Sequence, residues 1–438
     1  MAKKLSIPLI TLDSPEGNAI LTNITQVRYK RNLEVQLAVE KILDDIRKNG
    51  DKALFGYAKK FDKTVLSTDN IQIDQLTIEE QAKKISENFK TAVHKAIQRI
   101  RTYHIKQKVK NSFSIKTSEG FLRQIVKPIH RVGVYVPGGY TSYPSSVLMS
   151  VIPATIAGVK EIALVSPIKD IVDPSMAYVF KLLNVKEIYR VGGAQAIGAL
   201  AYGTQSIPAV DKIVGPGNIY VALAKKHVYG TVDIDSVTGP SEVVILADKT
   251  INPSWVALDL LSQAEHGSGD ETAICITENK NYAEKVRNHL ENEIENSPVK
   301  NIFLNLPPHG ITIFISKNRD ESIHFINSLA PEHLQIMTKT YLHDVKKIRN
   351  ASAIFLGPFT PVVMGDYYVG TNHILPTATA ARYASPLGVD SFLKRISIAE
   401  VNSAGLQKSA DHVALFARSE NFIHHALSVE RRVKKDYI

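Results

Sequence analysis

Apolar residues recur at helical spacing through residues 33–62, at Leu33, Val35, Leu37, Ile42, Ile46, Ala53 and Leu54, and predict helix broken at Gly50. A second period, Ile78, Ala82, Ile85, Phe89, Val93, Ala96, Ile100 and Tyr103, predicts one long helix, opened by a capping box at Thr77-Ile78-Glu79-Glu80. From Phe113 to Ile129 the pattern alternates around Glu119-Gly120, as in a strand pair with a turn. Beyond that, short apolar runs at 132–136, 161–165, 187–191 and 212–214 alternate with helical stretches at 145–159, 176–183 and 195–201 and with a helix opened by Asn218. The strands end in tight turns, Pro137-Gly138-Gly139, Gly192-Gly193 and Gly215-Pro216-Gly217. This alternation predicts a parallel sheet covered by helices on both faces.

The same rhythm resumes after Gly239-Pro240, with strands at 243–246, 272–277, 310–316 and 353–356 and helices at 256–265 and 282–295. The expected fold is therefore α/β: two Rossmann-like parallel-sheet domains, one inserted in the other, plus small N- and C-terminal segments. The expected boundaries are an N-terminal segment at 1–30, a first domain at 31–132 and 241–387, an inserted domain at 133–240, and a C-terminal helical segment at 388–438. That last segment is read as helical around 398–406 and 412–433.

Composition narrows the class. Of 438 residues, 44% are hydrophobic and 22% charged, which excludes a mainly disordered chain. No apolar run approaches the ~20 residues of a membrane helix, and Met1–Pro8 has no signal-peptide core. A soluble, cytoplasmic protein without a membrane partner is expected. The single cysteine, Cys275, excludes an internal disulfide and a multi-thiolate metal site. Its apolar flanks, Ala273-Ile274 and Ile276, predict a core thiol rather than a nucleophile. The net charge of +10 is spread over pairs such as Lys59-Lys60 and Lys225-Lys226, with the densest cluster, Arg431-Arg432-Val433-Lys434-Lys435, at the tail. No basic motif interleaved with aromatics accompanies it, so no nucleic-acid partner is expected.

Four stretches carry candidate chemistry. Gly215-Pro216-Gly217-Asn218 and Gly192-Gly193-Ala194-Gln195 sit between strand and helix, where backbone N–H groups attract phosphate, although any tight βα turn has this form. Gln263 and His266 fall one turn apart on a predicted helix; they offer an oxygen and a nitrogen to a metal, or merely end the helix. Asp366 and His373 lie in a glycine-rich segment, with Asp366 the harder donor. Glu332 and His333, after Pro331, read as a loop-to-helix segment in which two bases would point about 100° apart, or as surface residues at a helix start.

Taken together these motifs resemble the histidinol dehydrogenase family. The matching stretches run in order from Val134-Tyr135-Val136-Pro137-Gly138-Gly139 and Tyr143-Pro144-Ser145-Ser146-Val147-Leu148-Met149 through Gly192-Gly193-Ala194-Gln195-Ala196 and Gly215-Pro216-Gly217-Asn218. They continue in Gly239-Pro240-Ser241-Glu242, Ser262-Gln263-Ala264-Glu265-His266-Gly267, Ala330-Pro331-Glu332-His333-Leu334, Gly365-Asp366 and Asn372-His373-Ile374-Leu375-Pro376-Thr377. Thr238, Tyr140-Thr141-Ser142 and Tyr368-Val369 depart from the family's usual smaller residues without removing a ligand or base.

The resemblance implies oxidation of L-histidinol to L-histidine through L-histidinaldehyde, with two NAD reduced, at the end of histidine biosynthesis. It implies NAD contacts at Tyr135, Gln195 and Asn218, and one Zn²⁺ per subunit held by Gln263, His266, Asp366 and His425. Substrate contacts would come from Ser241, Gln263, His266, His333, Asp366, Glu420 and His425, and catalysis from Glu332 and His333. His424 competes with His425 for the last ligand position, which in the family comes from the partner of a homodimer with shared active sites.

Overall fold

The computed structural model describes residues 7–27, 33–108, 112–138, 142–237, 239–267 and 269–433. Gly139, Tyr140, Thr141, Thr238, Lys434 and Lys435 lie outside the described residues. In chain order the strands are β1 (Leu9–Thr11), β2 (Phe113–Thr117), β3 (Gly120–Pro128), β4 (Arg131–Tyr135), β5 (Glu161–Val165), β6 (Glu187–Tyr189) and β7 (Lys212–Val214). There follow β8 (Asp233–Ile234), β9 (Glu242–Ala247), β10 (Thr272–Thr277), β11 (Ile311–Ile315), β12 (His333–Met337), β13 (Ala353–Leu356) and β14 (Leu393–Val401).

Residues 1–107 and 130–391 form one unit. Its two sheets are wholly parallel and fully paired in their middles: Val134 lies opposite Leu164 and Val214, and Leu334 opposite Val244 and Ile354. The five-stranded sheet runs β6-β5-β4-β7-β8, and the six-stranded sheet runs β1-β11-β10-β9-β12-β13. Apart from β1 the two orders are the same, with the first strand of each set at the centre and the chain switching sides after the third. That is the doubly wound arrangement the alternation predicts.

Residues 235–241 join the C-terminal end of β8 to the start of β9. The chain thus passes straight from the carboxyl edge of one sheet to the amino edge of the other. The two edges abut: Ser146, in the first turn of the helix after β4, lies 3.4 Å from the His373 ring through its Oγ, and Asn372 Nδ2 donates to the Met149 carbonyl.

Several expectations are corrected. Helix Leu33–Asn49 does not cover the larger domain's sheet. Val39, Ile42, Leu43 and Ile46 of helix Leu33–Asn49 share a core with Ala196, Ala199 and Leu200, on the inserted five-stranded side. Gly198 permits this approach, since a Cβ there would lie 3.0 Å from Leu43. The predicted helix through 77–103 is two helices, Gln75–Ala82 and Glu87–Lys106, because Asp74 and Ser86 each cap one. Thr77 is no cap: its own N–H and hydroxyl donate to Asp74. The N-terminal segment supplies β1, an edge strand beside β11, too short to show a period.

The segment after Pro331 is the largest correction. It is not a helix start but β12, a central strand whose Leu334 and Ile336 are buried between β9 and β13. Likewise, helix Pro253–Ala264 ends before His266, which follows in a turn with its N–H 3.5 Å from the Gln263 carbonyl.

A second unit comprises residues 108–129 and 392–438. Here β3 pairs antiparallel with both β14 and β2, with Ile125 opposite Ile396 and Leu122 opposite Ile115. Residues 398–401 therefore extend a strand, not the predicted helix, since the Ile396-Ser397-Ile398 alternation matches β3 and Asn402 caps the helix that follows. Helices Ser403–Ser419 and Ile423–Val433 pack through Ala414, Ala417 and Ala426.

Candidate active site

Glu332 and His333 stand at the amino edge of the six-stranded sheet, each 6% exposed. Their neighbour across the edge is Glu242, the first residue of β9. Its backbone N–H donates to Glu332 Oε2 at 2.8 Å, and its carbonyl accepts from His333 Nδ1 at 3.0 Å. A carbonyl can only accept, so Nδ1 carries the proton and Nε2 keeps its lone pair. That Nε2 is buried without a hydrogen-bond partner. Burial holds the imidazole down at about 4, so it is neutral at neutral pH and its Nε2 lone pair is free to accept a proton. Burial also raises the Glu332 carboxyl well above the usual range, and the Glu242 and Asp366 carboxylates raise it further.

Asp366, half-buried in helix Val362–Tyr367, has its carboxyl pushed up to about 7 by burial alone. The Asp366 carbonyl accepts from His373 Nδ1 at 3.0 Å, which turns His373 Nε2 toward Ser146. His266 is exposed, in the turn after helix Pro253–Ala264, and is close enough to His333 and His373 to contribute electrostatically to both. Gln263 is buried in the last helical turn with its amide nitrogen unpartnered. Ser241 precedes β9, and its carbonyl accepts from the Thr272 N–H. The structure thus gathers Glu332, His333, Asp366 and His266 and adds Glu242 and His373. His373 is the weaker donor of the glycine-rich pair read from the sequence, whereas Glu242 occurs inside a quoted motif with adjacency to Ser241 as its signal.

Among the described residues no three His, Cys, Asp or Glu side chains are grouped to hold a metal. The expected zinc set contains only two such residues within one chain's first unit, His266 and Asp366, with Gln263 as a third donor. The donor types fit a divalent cation, an amide oxygen, an imidazole and a carboxyl, and exchanging the two amide atoms of Gln263 puts its oxygen at the buried position that lacks a partner. Glu420 and His425 belong to the second unit and are exposed, as is His424. Glu420 ends helix Ser403–Ser419, and the His425 ring lies 4.9 Å from Phe422.

At the carboxyl edge of the five-stranded sheet, Tyr135 is buried with its hydroxyl accepting from the Gly193 N–H at 3.2 Å. Gln195 is buried and donates to Asp62, whereas Asn218 is exposed and caps helix Ile219–Val228 by accepting from the N–H groups of Tyr220 and Val221.

Cys275 lies fully buried in β10, and burial pushes its thiol up to about 12. It is a core thiol, as its flanks predict, and makes no thiolate at neutral pH. Cys275→Ser is therefore expected to keep most activity in a steady-state assay; a fall of ~10³-fold or more, the scale of a lost nucleophile, would restore it as a reacting group.

Two parallel α/β sheets of the same strand order, with a buried carboxyl–imidazole pair at the edge of one and glycine turns at the edge of the other, define a protein built on paired Rossmann-like units. The chain belongs to the histidinol dehydrogenase family, whose sequence profile, described as "Histidinol dehydrogenase", matches residues 26–433. A histidinol dehydrogenase from Bacillus thuringiensis is 44% identical over 420 residues, covering 94% of this chain and 96% of the relative. One from Streptococcus mutans is 43% identical, covering 93% of this chain and 95% of the relative. The crystal structure of histidinol dehydrogenase from Elizabethkingia anophelis is 35% identical and superposes with a TM-score of 0.87 over 98% of each chain. Among the described residues no helix is long and apolar enough to cross a membrane.

Proposed function

We propose that this oxidoreductase converts L-histidinol to L-histidine through L-histidinaldehyde, reducing two NAD, as a cytoplasmic enzyme of histidine biosynthesis. The observation that carries this reading is the Glu332–Glu242–His333 arrangement, which leaves His333 Nε2 buried with its lone pair unpartnered beside the Glu332 carboxyl. His333 Nε2 accepts the hydroxyl proton as the alcohol carbon is oxidised. Glu332, its proton affinity raised by burial, takes a proton from the water that adds to the aldehyde. His333 then takes the hydrate's hydroxyl proton in the second oxidation.

Zn²⁺ would be held by Gln263, His266, Asp366 and the partner's His425, and when bound it orients the substrate's imidazole and amine. NAD would meet Tyr135, Gln195 and Asn218 and takes up the electrons of each oxidation. Ser241, with Glu420 and His425 of the partner subunit, would complete the substrate site. The partner is a second copy of the chain: Leu415, Phe416, Phe422 and Ile423 of the second unit are exposed large apolar side chains, a pattern that marks a protein contact. The reading requires no nucleic acid and no membrane.

NADH absorbance with L-histidinol as the only substrate tests it. Two NADH per histidinol are expected; one NADH would leave an ordinary alcohol dehydrogenase. Active protein is further expected to contain one zinc per subunit, to lose activity on chelation and to regain it with zinc. His266→Asn should weaken metal binding roughly ten-fold or more, since even the outer partners of metal ligands carry that much. Full activity in metal-free protein would remove the zinc assignment.

A further inference from the structure

Lys225 is 0% exposed, in a fold whose other lysines mostly reach water. Its Nζ donates to the Gly215 carbonyl at 2.9 Å and pairs with Asp235, whose side chain is 4% exposed. Asp235 in turn accepts from the Gly215 N–H at 2.7 Å through Oδ2, and from the Ser236 N–H at 2.7 Å through Oδ1. One buried ion pair thus holds both polar groups of a single glycine. Gly215 has φ +117°, and a Cβ there would sit 2.0 Å from the Tyr135 carbonyl oxygen, so the turn after β7 presses on the end of β4. This is the point where the sheet's strand order reverses.

The clamp has three ends. Lys225 lies on helix Ile219–Val228, the helix that the turn 215–218 opens. Gly215 leads through Pro216 and Gly217 to Asn218. Asp235 directly follows β8, the edge strand beside β7. A buried ion pair is weak evidence for stability, because apolar residues of similar size commonly serve as well. What apolar residues would not supply here is simultaneous hydrogen bonding to Gly215 N–H, Gly215 C=O and Ser236 N–H.

We propose that Lys225 and Asp235 are positioning residues that hold the backbone of Gly215, and with it the turn 215–218, in the shape that receives the cofactor. The assignment rests on the NAD reading above. A dinucleotide's phosphates would meet the helix start at this turn, so a loosened Gly215 backbone weakens their binding.

The test compares Asp235→Asn, Lys225→Met and the double variant Lys225→Met/Asp235→Leu in the full-length protein. The readouts are the KM for NAD, the Kd for NADH by fluorescence, the KM for L-histidinol, zinc content and Tm. Both nicotinamide constants are expected to rise roughly ten-fold or more in every variant, while zinc content holds and the histidinol KM stays within about two-fold. The double variant, which strands no lone charge, is expected to recover much of the Tm lost by Lys225→Met without recovering NADH affinity. It also carries the comparison if a single variant does not fold. NADH affinity that is unchanged, or that returns together with Tm, overturns the proposal. A wild-type protein that binds no NADH overturns the NAD reading, and this inference with it.

Discussion

Replacing His333 with alanine is expected to slow L-histidinol oxidation by about 10²–10⁴-fold, the usual worth of a general base. The ring is buried, its Nδ1–H is committed to the Glu242 carbonyl, and Nε2 is the one position from which it can take a proton. Alanine also leaves a cavity, so His333→Asn serves as the control: its amide can still donate to Glu242, but nothing replaces Nε2. Both variants should lose the rate in single-turnover NADH formation, and only alanine should lose much Tm. A loss under ten-fold in His333→Asn would remove the ring from the chemistry. Because the imidazole is held at about 4, the base remains unprotonated far below the range of an exposed histidine. His333 is therefore expected to cause no loss of single-turnover NADH formation until pH drops toward 4, and a fall nearer neutrality belongs to Asp366 or Glu332.

Glu332→Gln is expected to separate the two oxidations. Its amide oxygen can still accept from the Glu242 N–H, so the local geometry survives. What is lost is the capacity to take a proton from water. Oxidation of supplied L-histidinaldehyde should slow by ~10²–10⁴-fold, and the first oxidation of histidinol much less. Equal losses in both would give Glu332 a shared structural part, such as orienting His333, whose Nδ1 lies 3.6 Å from Glu332 Oε2. Stability supplies an independent check. The folded-state pKa lies above the ordinary 4.5, so the protonated carboxyl favours the folded state at acid pH. That contribution is lost as pH rises through the raised value. Glu332→Gln should flatten the fall in Tm over the same range.

Both sheets are legible in the sequence because buried parallel strands are short, wholly apolar runs bounded by glycine turns. The runs at 132–136 and 272–277 need no partner to be recognised. The pair at 332–333 is legible as chemistry and misread as structure. A proline followed by Glu and His resembles a helix start, and only the neighbours β9 and β13 make Leu334 and Ile336 a central strand. The same limit hides Glu242, which acts on Glu332 and His333 through its backbone, a role that no side-chain pattern encodes. It also hides which sheet the helix Leu33–Asn49 covers, since an amphipathic stripe names a buried face but not its partner.

The second unit has a consequence for synthesis. Its central strand, β3, is complete at Pro128, but the strand that covers one of its edges starts at Leu393, about 265 residues later. At ribosomal speeds of 5–20 residues per second that is on the order of ten to fifty seconds. Through this interval the nascent chain holds a bare two-stranded hairpin, marginal by itself and open to pairing with a neighbouring chain. The exposed Phe113, Ile115 and Leu122 on this hairpin add to that hazard. Yield in the cell should therefore depend on chaperone supply early in translation, and a chain ending before Leu393 should aggregate even with both parallel sheets intact.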